Sequence, residues 1–472
     1  MNPHAKALLA PLEAYAVPPG GAWNRLRDLL ERQADTEFGR SYGFGSIRTP
    51  EDFRASIPPM NYEDCRSWIE RAAAGEMRVL ACDEPLGFER TSGTSSQAKM
   101  IPITAGLQTE FARGLAVWFS GWKARRPEVF AGRAYWALSP PGMKPETTDG
   151  GLPLGMQSDA AYFPDDVGDR LSDWLVVPDL SGDVSAVFDE TAAALLATPD
   201  LSLVSVWSPT FLLGVDAALR RMRGDFTWRE LWPRLALVSC WADASSALWI
   251  PRLRERLGGV PIEGKGLLAT EGVTSVPGGM DGSPRLASEC HWHEFLDDAG
   301  DSVEISEFQL CGEYEVLLST AGGLFRYRSG DRVRVVGWDA SRSPCLRFIG
   351  RVGMVSDLVG EKLHESQVIE ALVLSGTRGF VVEDSGLPGY RVWLENPSLA
   401  GAFERMLRRN PYFDQALALG QLAPLVIHRL EADWSVKLTM ALARHRGCRM
   451  GDVKLAAIFR DEKPGEVESW LD

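Results

Sequence analysis

The sequence contains no long apolar run, no Cys-x-x-Cys pair and no long run of Lys or Arg. A membrane-spanning helix needs about 20 apolar residues, and the start of the chain lacks the apolar stretch of a secretory signal. We therefore expect a cytoplasmic protein without membrane contact. The scattered cysteines, odd in number, favour reduced thiols over a disulfide framework. A formal net charge of -14, with no basic run to offset it, argues against nucleic acid as a partner.

Several common enzyme motifs are also missing. No Gly-Lys-Ser/Thr follows a glycine at Walker A spacing, which excludes a P-loop nucleotide site. No Gly-x-Ser-x-Gly occurs, so a serine hydrolase has no expected nucleophile. The segment Gly264–Ala269 imitates a dinucleotide-binding turn, but Gly272 and Pro277 interrupt the helix that should follow it. A dehydrogenase is therefore not expected.

Hydrophobic periodicity predicts a mixed α/β protein. A chain of 472 residues exceeds the usual size of a single hydrophobic core, so a large and a smaller domain are expected. Apolar residues at helical spacing predict a helix through Phe111 and Trp122. Short strands that alternate with helices are expected over 201–249, and period-two alternation from Glu313 predicts antiparallel hairpins. Beyond Arg351, helix-like and strand-like stretches predict a small α/β domain.

The loop from Thr91 to Lys99 places hydroxyl side chains and a glycine in front of a lysine. Backbone amides and hydroxyls in a tight turn bind phosphate oxygens, and a lysine offsets charge that develops on a leaving group. The alternative is an ordinary Ser- and Thr-rich surface turn. The residues alone leave both interpretations open.

This loop, with Ile101-Pro102 behind it, resembles the nucleotide loop of the plant acyl acid-amido synthetases (the Gretchen Hagen three family), which conjugate auxin or jasmonate to amino acids, and of their bacterial relatives. The resemblance continues in chain order. The matching segments are His291–Phe295, Gly312–Glu315, Gly323–Asp331, Phe348–Arg351 and Gly360–Leu363. It is thin over the N-terminal helices and loose after Gly376.

The resemblance implies an adenylate-forming, firefly-luciferase-like fold. It consists of a large mixed α/β domain with β-sheets and a hairpin region over residues 1–354, and a small α/β domain over residues 355–472. The two would be joined by a hinge at Val352–Asp357. The implied activity uses ATP and Mg²⁺ to convert a carboxylic acid to its acyl-AMP, and then transfers the acyl group to an amine or amino acid. A thiol acceptor and a catalytically silent nucleotide-binding relative remain alternatives, and the acid, the acceptor and the oligomeric state stay open.

The resemblance also implies roles for individual residues. Glu271 would hold Mg²⁺ at the ATP phosphates, and Asp331 would accept hydrogen bonds from ribose hydroxyls. Lys454 stands near the last lysine of the family, but without the Gln and Pro that surround that lysine. The expected catalytic residues are Lys99, Glu271, Lys362 and Lys454. The expected nucleotide-binding residues are Thr91, Ser92, Gly93, Thr94, Ser95, Ser96, Thr270, Asp331 and Arg351.

Aromatic and apolar side chains provide a candidate acyl pocket. Aromatic walls favour a planar or apolar acid, although the same residues serve equally well as core. The expected pocket residues are Phe111, Leu115, Trp118, Trp207 and Phe211. A metal site built from His291 and His293 has the wrong spacing for a zinc protease, and we instead expect an alternating strand with one face in water.

Overall fold

The computed structural model describes residues 1–17, 21–91, 99–137, 146–156, 159–180, 186–278, 282–384, 386, 388–448 and 450–471. Its helices are α1 (Pro3–Tyr15), α2 (Ala22–Gln33), α3 (Glu37–Ser41), α4 (Pro50–Ser56), α5 (Tyr62–Ala73), α6 (Ala105–Arg125), α7 (Asp165–Trp174), α8 (Val187–Leu196), α9 (Pro209–Arg223), α10 (Trp228–Leu231), α11 (Ile250–Leu257), α12 (Glu365–Ser375), α13 (Ala400–Leu407), α14 (Pro411–Ala418), α15 (Trp434–Arg446) and α16 (Pro464–Leu471).

The strands are β1 (Gly87–Thr91), β2 (Lys99–Ile103), β3 (Arg133–Trp136), β4 (Glu146–Thr147), β5 (Pro153–Leu154), β6 (Leu201–Ser205), β7 (Leu237–Cys240), β8 (Ile262–Gly264), β9 (Leu268–Ala269), β10 (Gly272–Val273), β11 (Ser275–Pro277), β12 (Pro284–Leu286), β13 (Trp292–Leu296), β14 (Ser302–Val303), β15 (Glu313–Ser319), β16 (Tyr327–Trp338), β17 (Pro344–Arg351), β18 (Val355–Ser356), β19 (Leu363–His364), β20 (Gly379–Asp384), β21 (Gly389–Leu394), β22 (Val426–Arg429) and β23 (Ile458–Phe459). The mixed α/β fold class is confirmed.

The N-terminal helices form a layer whose starts are fixed by local caps. Thr49 and Asp52 exchange hydrogen bonds at the start of α4, and Asn61 and Asp64 do the same at the start of α5. These reciprocal bonds satisfy backbone N–H groups that the first helical turn leaves unpaired. The apolar faces of α2, α4 and α5 share one core with the start of β16, where Tyr327 is fully buried.

Helix α6 crosses the interior of the molecule. The Thr104 hydroxyl accepts a hydrogen bond from the Leu107 N–H and caps its start. The predicted stripe from Phe111 to Trp122 lies on this helix and is buried. Because apolar side chains also occupy other faces of α6, the helix packs against α1, α7 and the strands β10 and β11 rather than facing water on one side.

A parallel sheet with the order β3-β6-β7-β8 lies beside α6. Every residue of β6 and β7 is buried, as expected for strands covered on both faces. Helices α8, α9 and α11 contribute to the core on this sheet. The carboxyl ends of parallel strands meet at one edge, and that edge is where α/β proteins usually bind ligands.

An antiparallel sheet follows, with the order β11-β12-β17-β16-β15-β13-β14. The hairpins predicted from Glu313 onward are its central strands, β15, β16 and β17. Their inward residues, including Val316, Val333 and Leu346, form a separate small core. The long β16–β17 hairpin carries Asp331 and Arg351 at its open end.

The C-terminal region builds its own sheet, β22-β21-β20-β23, covered by helices α12 to α16. One buried core nevertheless runs from the parallel sheet into this region, and the rings of Trp249 and Trp434 lie 5.2 Å apart across the junction. In the part of the chain that the structure describes, no helix has the length and apolar character to cross a bilayer. The cysteines are free thiols, as predicted.

Candidate active site

A cavity of about 440 Å³ lies where the carboxyl edge of the parallel sheet, helix α6, the β16–β17 hairpin and a C-terminal segment meet. Charged side chains line one end and aromatic side chains line the other. We call these the nucleotide end (Lys99, Glu271, Asp331, Arg351, Lys454) and the acyl end (Phe111, Trp118, Trp136, Trp207, Lys265), after the ligands that the resemblance predicts for them. The predicted site residues that line the cavity are Lys99, Phe111, Leu115, Trp118, Trp207, Thr270, Glu271, Asp331, Arg351 and Lys454.

Asp331 and Arg351 form an ion pair at the nucleotide end. They lie opposite each other on β16 and β17, and Arg351 Nε donates a hydrogen bond to Asp331 Oδ1 over 2.9 Å. The Asp331 side chain is 3% exposed, whereas Arg351 is 42% exposed. The Asp331 carboxylate raises the pKa of Arg351. The pair therefore holds an oriented carboxylate in the cavity wall beside an accessible cation.

Glu271 lies in the tight turn between β9 and β10. Burial raises the pKa of its carboxyl, and Asp331 acts in the same direction, while Arg351 and Lys99 oppose the shift. The positive charges of Arg351 and Lys99 thus offset only part of the cost of burying the ionised carboxylate. A cation bound at this position would complete the compensation, so the residue present fits a metal ligand.

The turn that carries Glu271 is anchored from behind by His291. The Val273 N–H donates to His291 Nε2 over 2.9 Å, so this ring nitrogen bears no proton. His291 Nδ1 then bears the proton and donates to Glu110 Oε2 over 2.9 Å. A Cβ at Gly272 would lie 2.9 Å from His291 Nε2. Glycine is therefore required for the turn to approach the histidine this closely.

The expectation of a strand with one wet face is wrong for His291 and His293. Both are buried, because His291, just before β13, and His293, on β13, pack under β10 and α6. His293 Nε2 donates to the Val273 carbonyl, and burial lowers its pKa to about 3, so it stays neutral. Glu294 pairs with Arg326 instead of facing water. No cluster of three or more His, Cys, Asp or Glu side chains suited to a metal occurs among the described residues.

Lys454 reaches the nucleotide end from the C-terminal region. Its Nζ lies 4.2 Å from the centroid of Phe348 and 6.0 Å from that of Trp241. Burial lowers the pKa of Lys454 to about 8, although Glu365 acts in the opposite direction. Glu365 Oε1 also accepts the Ala457 N–H over 2.8 Å and so fastens the segment that carries the lysine. Lys454 therefore places an ammonium group in the cavity wall, where it can bind an anionic ligand.

The acyl end is built from rings on separate elements. Phe111 meets Tyr162 edge to face at 5.6 Å, Trp118 meets Trp136 at 5.5 Å, and Trp207 lies 5.8 Å from Trp241. Trp136, Trp207 and Trp241 stand at or just beyond the carboxyl ends of β3, β6 and β7. Flat apolar walls of this kind bind planar acyl groups.

Comparison with known proteins adds an independent observation. The model of the GH3 family N-terminal domain matches residues 24–226, and that of the GH3 family central domain matches residues 286–351. The chain belongs to the GH3 family. The resemblance to acyl acid-amido synthetases stated above is thereby confirmed.

Relatives and solved structures agree with this membership. Indole-3-acetic acid-amido synthetase GH3.15 of Arabidopsis thaliana is 23% identical over 435 residues, which cover 74% of this chain and 70% of that protein. Indole-3-acetic acid-amido synthetase GH3.3 of the same plant is 22% identical over 455 residues, covering 78% and 75%. The GH3.15 acyl acid amido synthetase in complex with 2,4-DB aligns with a TM-score of 0.81 at 18% identity, over 99% of this chain and 95% of that one.

A 2-hydroxyisobutyryl-CoA ligase in the postadenylation state aligns with a TM-score of 0.55 at 13% identity, over 95% of this chain and 91% of that one. At this identity the likeness concerns the fold alone. The GH3-family chain therefore has the adenylate-forming ligase fold.

Two predicted site residues of this GH3-family chain lie outside the cavity lining. Lys362 is exposed, because the neighbouring Glu361 turns inward and accepts the N–H groups of Leu358 and Val359. Phe211 is buried in α9, with its ring 5.5 Å from that of Phe188. The side chain of Thr91 and residues Ser92, Gly93, Thr94, Ser95 and Ser96 lie outside the described residues; the strands that flank this segment pair with Thr91 opposite Lys99.

Sequence reasoning missed several lining residues of the GH3 cavity, among them Trp136, Tyr162, Trp241 and Lys265. A usable signal exists for most of them. Trp136, Trp241 and Lys265 end or directly follow a short strand of the parallel sheet, and residues in such positions converge at its carboxyl edge. Tyr162 precedes α7 and carries no comparable signal.

Proposed function

We propose that this GH3-family protein is an ATP-dependent acid-amine ligase, which activates a carboxylic acid as its acyl-AMP and transfers the acyl group to an amine or amino acid, releasing AMP and pyrophosphate. The main observation behind the proposal is that the nucleotide end and the acyl end belong to one continuous cavity. Charged groups suited to a nucleoside triphosphate and aromatic walls suited to an acyl group line the same cavity.

Binding of ATP follows from the charges at the nucleotide end. Asp331, oriented by Arg351, accepts hydrogen bonds from ribose hydroxyls, and Arg351 presents its remaining N–H groups to the sugar or the phosphates. Lys99 and Lys454 supply cations that stabilise negative charge on the phosphate oxygens as the acid carboxylate attacks and pyrophosphate leaves. The segment 92–96 is proposed as a further phosphate contact, and Thr270 as a contact to the nucleotide next to Glu271.

Glu271 is the residue that would hold Mg²⁺. Bound there, the ion would neutralise phosphate charge as a Lewis acid. The chain prepares the carboxylate for this role through the tight turn between β9 and β10, and through the Val273–His291–Glu110 hydrogen bonds that fix the turn. The nearby positive charges do not fully offset the burial of the Glu271 carboxylate, and this fits a site that binds a cation.

We propose that the chain has two domains, residues 1–354 and 355–472, joined by a hinge at Val352–Asp357. Transfer of the acyl group to the amine would take place in a second arrangement of these domains. In the arrangement described here, Lys454 lines the cavity and Lys362 is exposed. This suits the adenylation step, since a C-terminal cation stands beside the phosphates. The second step would require the Trp249–Trp434 contact to slide or separate. Lys362 is proposed to act only after that movement.

Pyrophosphate exchange into ATP tests the first half-reaction. The purified protein with Mg²⁺ is given pools of aromatic, aliphatic and amino acids, alongside Glu271→Ala and the surface variant Lys437→Met as a matched control. Exchange that depends on one acid, persists in Lys437→Met and disappears in Glu271→Ala supports the proposal. Silence across the pools, with ATP still bound, would point to a catalytically silent nucleotide-binding protein.

The second half-reaction is tested with the acid found in the first. Amino acids, simple amines and coenzyme A are offered as acceptors, and products are identified by mass. An amide product is expected. A thioester formed faster than any amide would reassign the acceptor class.

A further inference from the structure

The acyl end contains a buried cation among indole rings. The Lys265 side chain lines the cavity, and its Nζ lies 4.6 Å from the ring centroid of Trp207, 4.8 Å from that of Trp136 and 5.0 Å from that of Trp118. Nζ also hydrogen-bonds to Ser205 Oγ. Ring faces attract a cation, and a cation held in such an apolar wall attracts an anion more strongly than one in water does.

Hydrogen-bond donors accompany this ammonium group. The indole nitrogens of Trp118 and Trp136 are buried and, among the described residues, have no hydrogen-bond partner. Both side chains line the same part of the cavity and are at most 4% exposed. A buried N–H without an acceptor is unfavourable, and a ligand oxygen that accepts its hydrogen bond would remove this penalty. This part of the acyl end thus presents a positive charge and two N–H donors, which suit a ligand group with several hydrogen-bond acceptors, such as a carboxylate.

A second cation lies on the far side of these rings. Trp207, which faces Lys265, lies 5.8 Å from Trp241, and Trp241 in turn lies beside Lys454. A pair of indole rings therefore separates the two ammonium groups. A flat molecule lying along these rings, with one carboxylate at the Lys454 end, presents its far end to Lys265.

We propose that Lys265 determines specificity for planar acyl donors that carry a second carboxylate at the end remote from the carboxyl group that is activated. This inference rests on the proposed function and specifies the substrate class of the same site. Lys265 pairs with the remote carboxylate, and the indole N–H groups of Trp118 and Trp136 donate to it. The activated carboxylate stays at the nucleotide end, and Lys265 takes no part in the chemical step.

The test uses two aromatic acids of nearly the same shape, terephthalate and 4-methylbenzoate, in acid-dependent pyrophosphate exchange. Wild-type protein should prefer terephthalate in kcat/KM by at least about tenfold, the worth of a hydrogen-bonded ion pair. Lys265→Met keeps the side-chain volume and should abolish the preference by slowing terephthalate alone. Lys123→Met, which removes a surface lysine paired with Glu13, should behave like the wild type.

Several results would overturn the inference. Equal use of the two acids by the wild type, or equal slowing of both in Lys265→Met, would assign Lys265 to the core or to the activated carboxylate. If Lys265→Met does not fold, the wild-type comparison decides, with 4-carbamoylbenzoate as an uncharged acceptor expected to rank between the two acids. Exchange with monoacids alone refutes this inference and leaves the proposed function standing, whereas no exchange with any acid counts against the proposed function itself.

Discussion

The nucleotide end and the acyl end of the cavity are built in different ways. At the nucleotide end, Asp331 and Arg351 face each other in one hairpin, and Glu271 sits in a two-strand turn. Short-range backbone geometry fixes these groups before any ligand arrives. The acyl end has no such local frame, because its rings come from α6 and from strands that meet only in the folded sheet. We infer that the nucleotide end tolerates fewer substitutions than the acyl end. Substitution of the side chains at the strand ends would then be the main way to change which acid is bound.

The largest effect is expected at Glu271. Glu271→Gln should reduce the exchange rate by about 100- to 1,000-fold, since a preorganised charge in a buried site contributes on the order of 3 kcal/mol. Kinetics at saturating Mg²⁺ provide the measurement. An exchange rate like that of the wild type, together with a changed preference among acids, would contradict the assignment of Glu271 to the nucleotide end.

The same variant should not lose stability near neutral pH. The pKa of Glu271 is raised in the folded state, so its contribution to stability is present below the unfolded pKa and is lost as pH rises through the folded one. Without ligands, Glu271→Gln is therefore expected to melt at or above the wild-type temperature at pH 7. A large drop in melting temperature would assign Glu271 a structural role.

A pH dependence is expected from Lys454. Its pKa is lowered to about 8, so the ammonium is lost as pH rises through that value. The kcat/KM for ATP in the exchange reaction should fall above about pH 8, because this parameter reports the free enzyme. Lys454→Met should be about 100-fold slower and flat across this range, whereas Lys454→Arg should move the decline to higher pH. An unchanged profile in Lys454→Met would exclude the lysine as its origin.

A smaller effect separates ribose binding from acid choice. Asp331→Asn retains the shape of the side chain but removes the charge that orients Arg351. It should raise the KM for ATP by about 10- to 100-fold, the range of a charge-assisted hydrogen bond. The order of preference among acids should stay as in the wild type. Loss of that order would show that the two ends are not independent.

The smallest effect is expected from a pair of phenylalanines. Phe111 lines the cavity and Phe211 lies in the core of α9. Phe111→Leu should change relative kcat/KM among acids by about tenfold, as one or two methylenes do in an apolar pocket. Phe211→Leu should cost about 1 kcal/mol of stability and leave acid preference unchanged. The reverse pattern would place the acid-binding surface at Phe211 on α9 instead of at Phe111 on α6.

The nucleotide end was largely predictable because its residues stand in contiguous motifs. The resemblance points to Asp331 and Arg351 through the segments Gly323–Asp331 and Phe348–Arg351, and to Thr270-Glu271 through the Thr-Glu pair of adenylate-forming enzymes. Lys362 was predicted from the same kind of motif, but its exposure depends on Glu361, whose buried hydrogen bonds set the direction of the turn. The motif therefore does not by itself tell which of its side chains faces the cavity in this arrangement.

The acyl end was only partly predictable. Trp118 lies on a helix whose apolar stripe is visible in the sequence, yet the stripe does not say which of its members face a cavity. Phe211, on α9, packs against Phe188 in the core, and the sequence does not distinguish such a residue from one that lines a pocket. Trp136, Trp241 and Lys265 meet only through the strand order of the parallel sheet. His291 and His293 follow an alternating pattern that predicts one wet face, but β10 and α6 cover it.

The most direct test of the account is a measurement of both Michaelis constants in pyrophosphate exchange for one variant at each end, Asp331→Asn and Phe111→Leu. The account predicts that Asp331→Asn raises the KM for ATP with little change for the acid, and that Phe111→Leu raises the KM for the acid with little change for ATP. A rise of both constants together in both variants would contradict the division of the cavity into a nucleotide end and an acyl end.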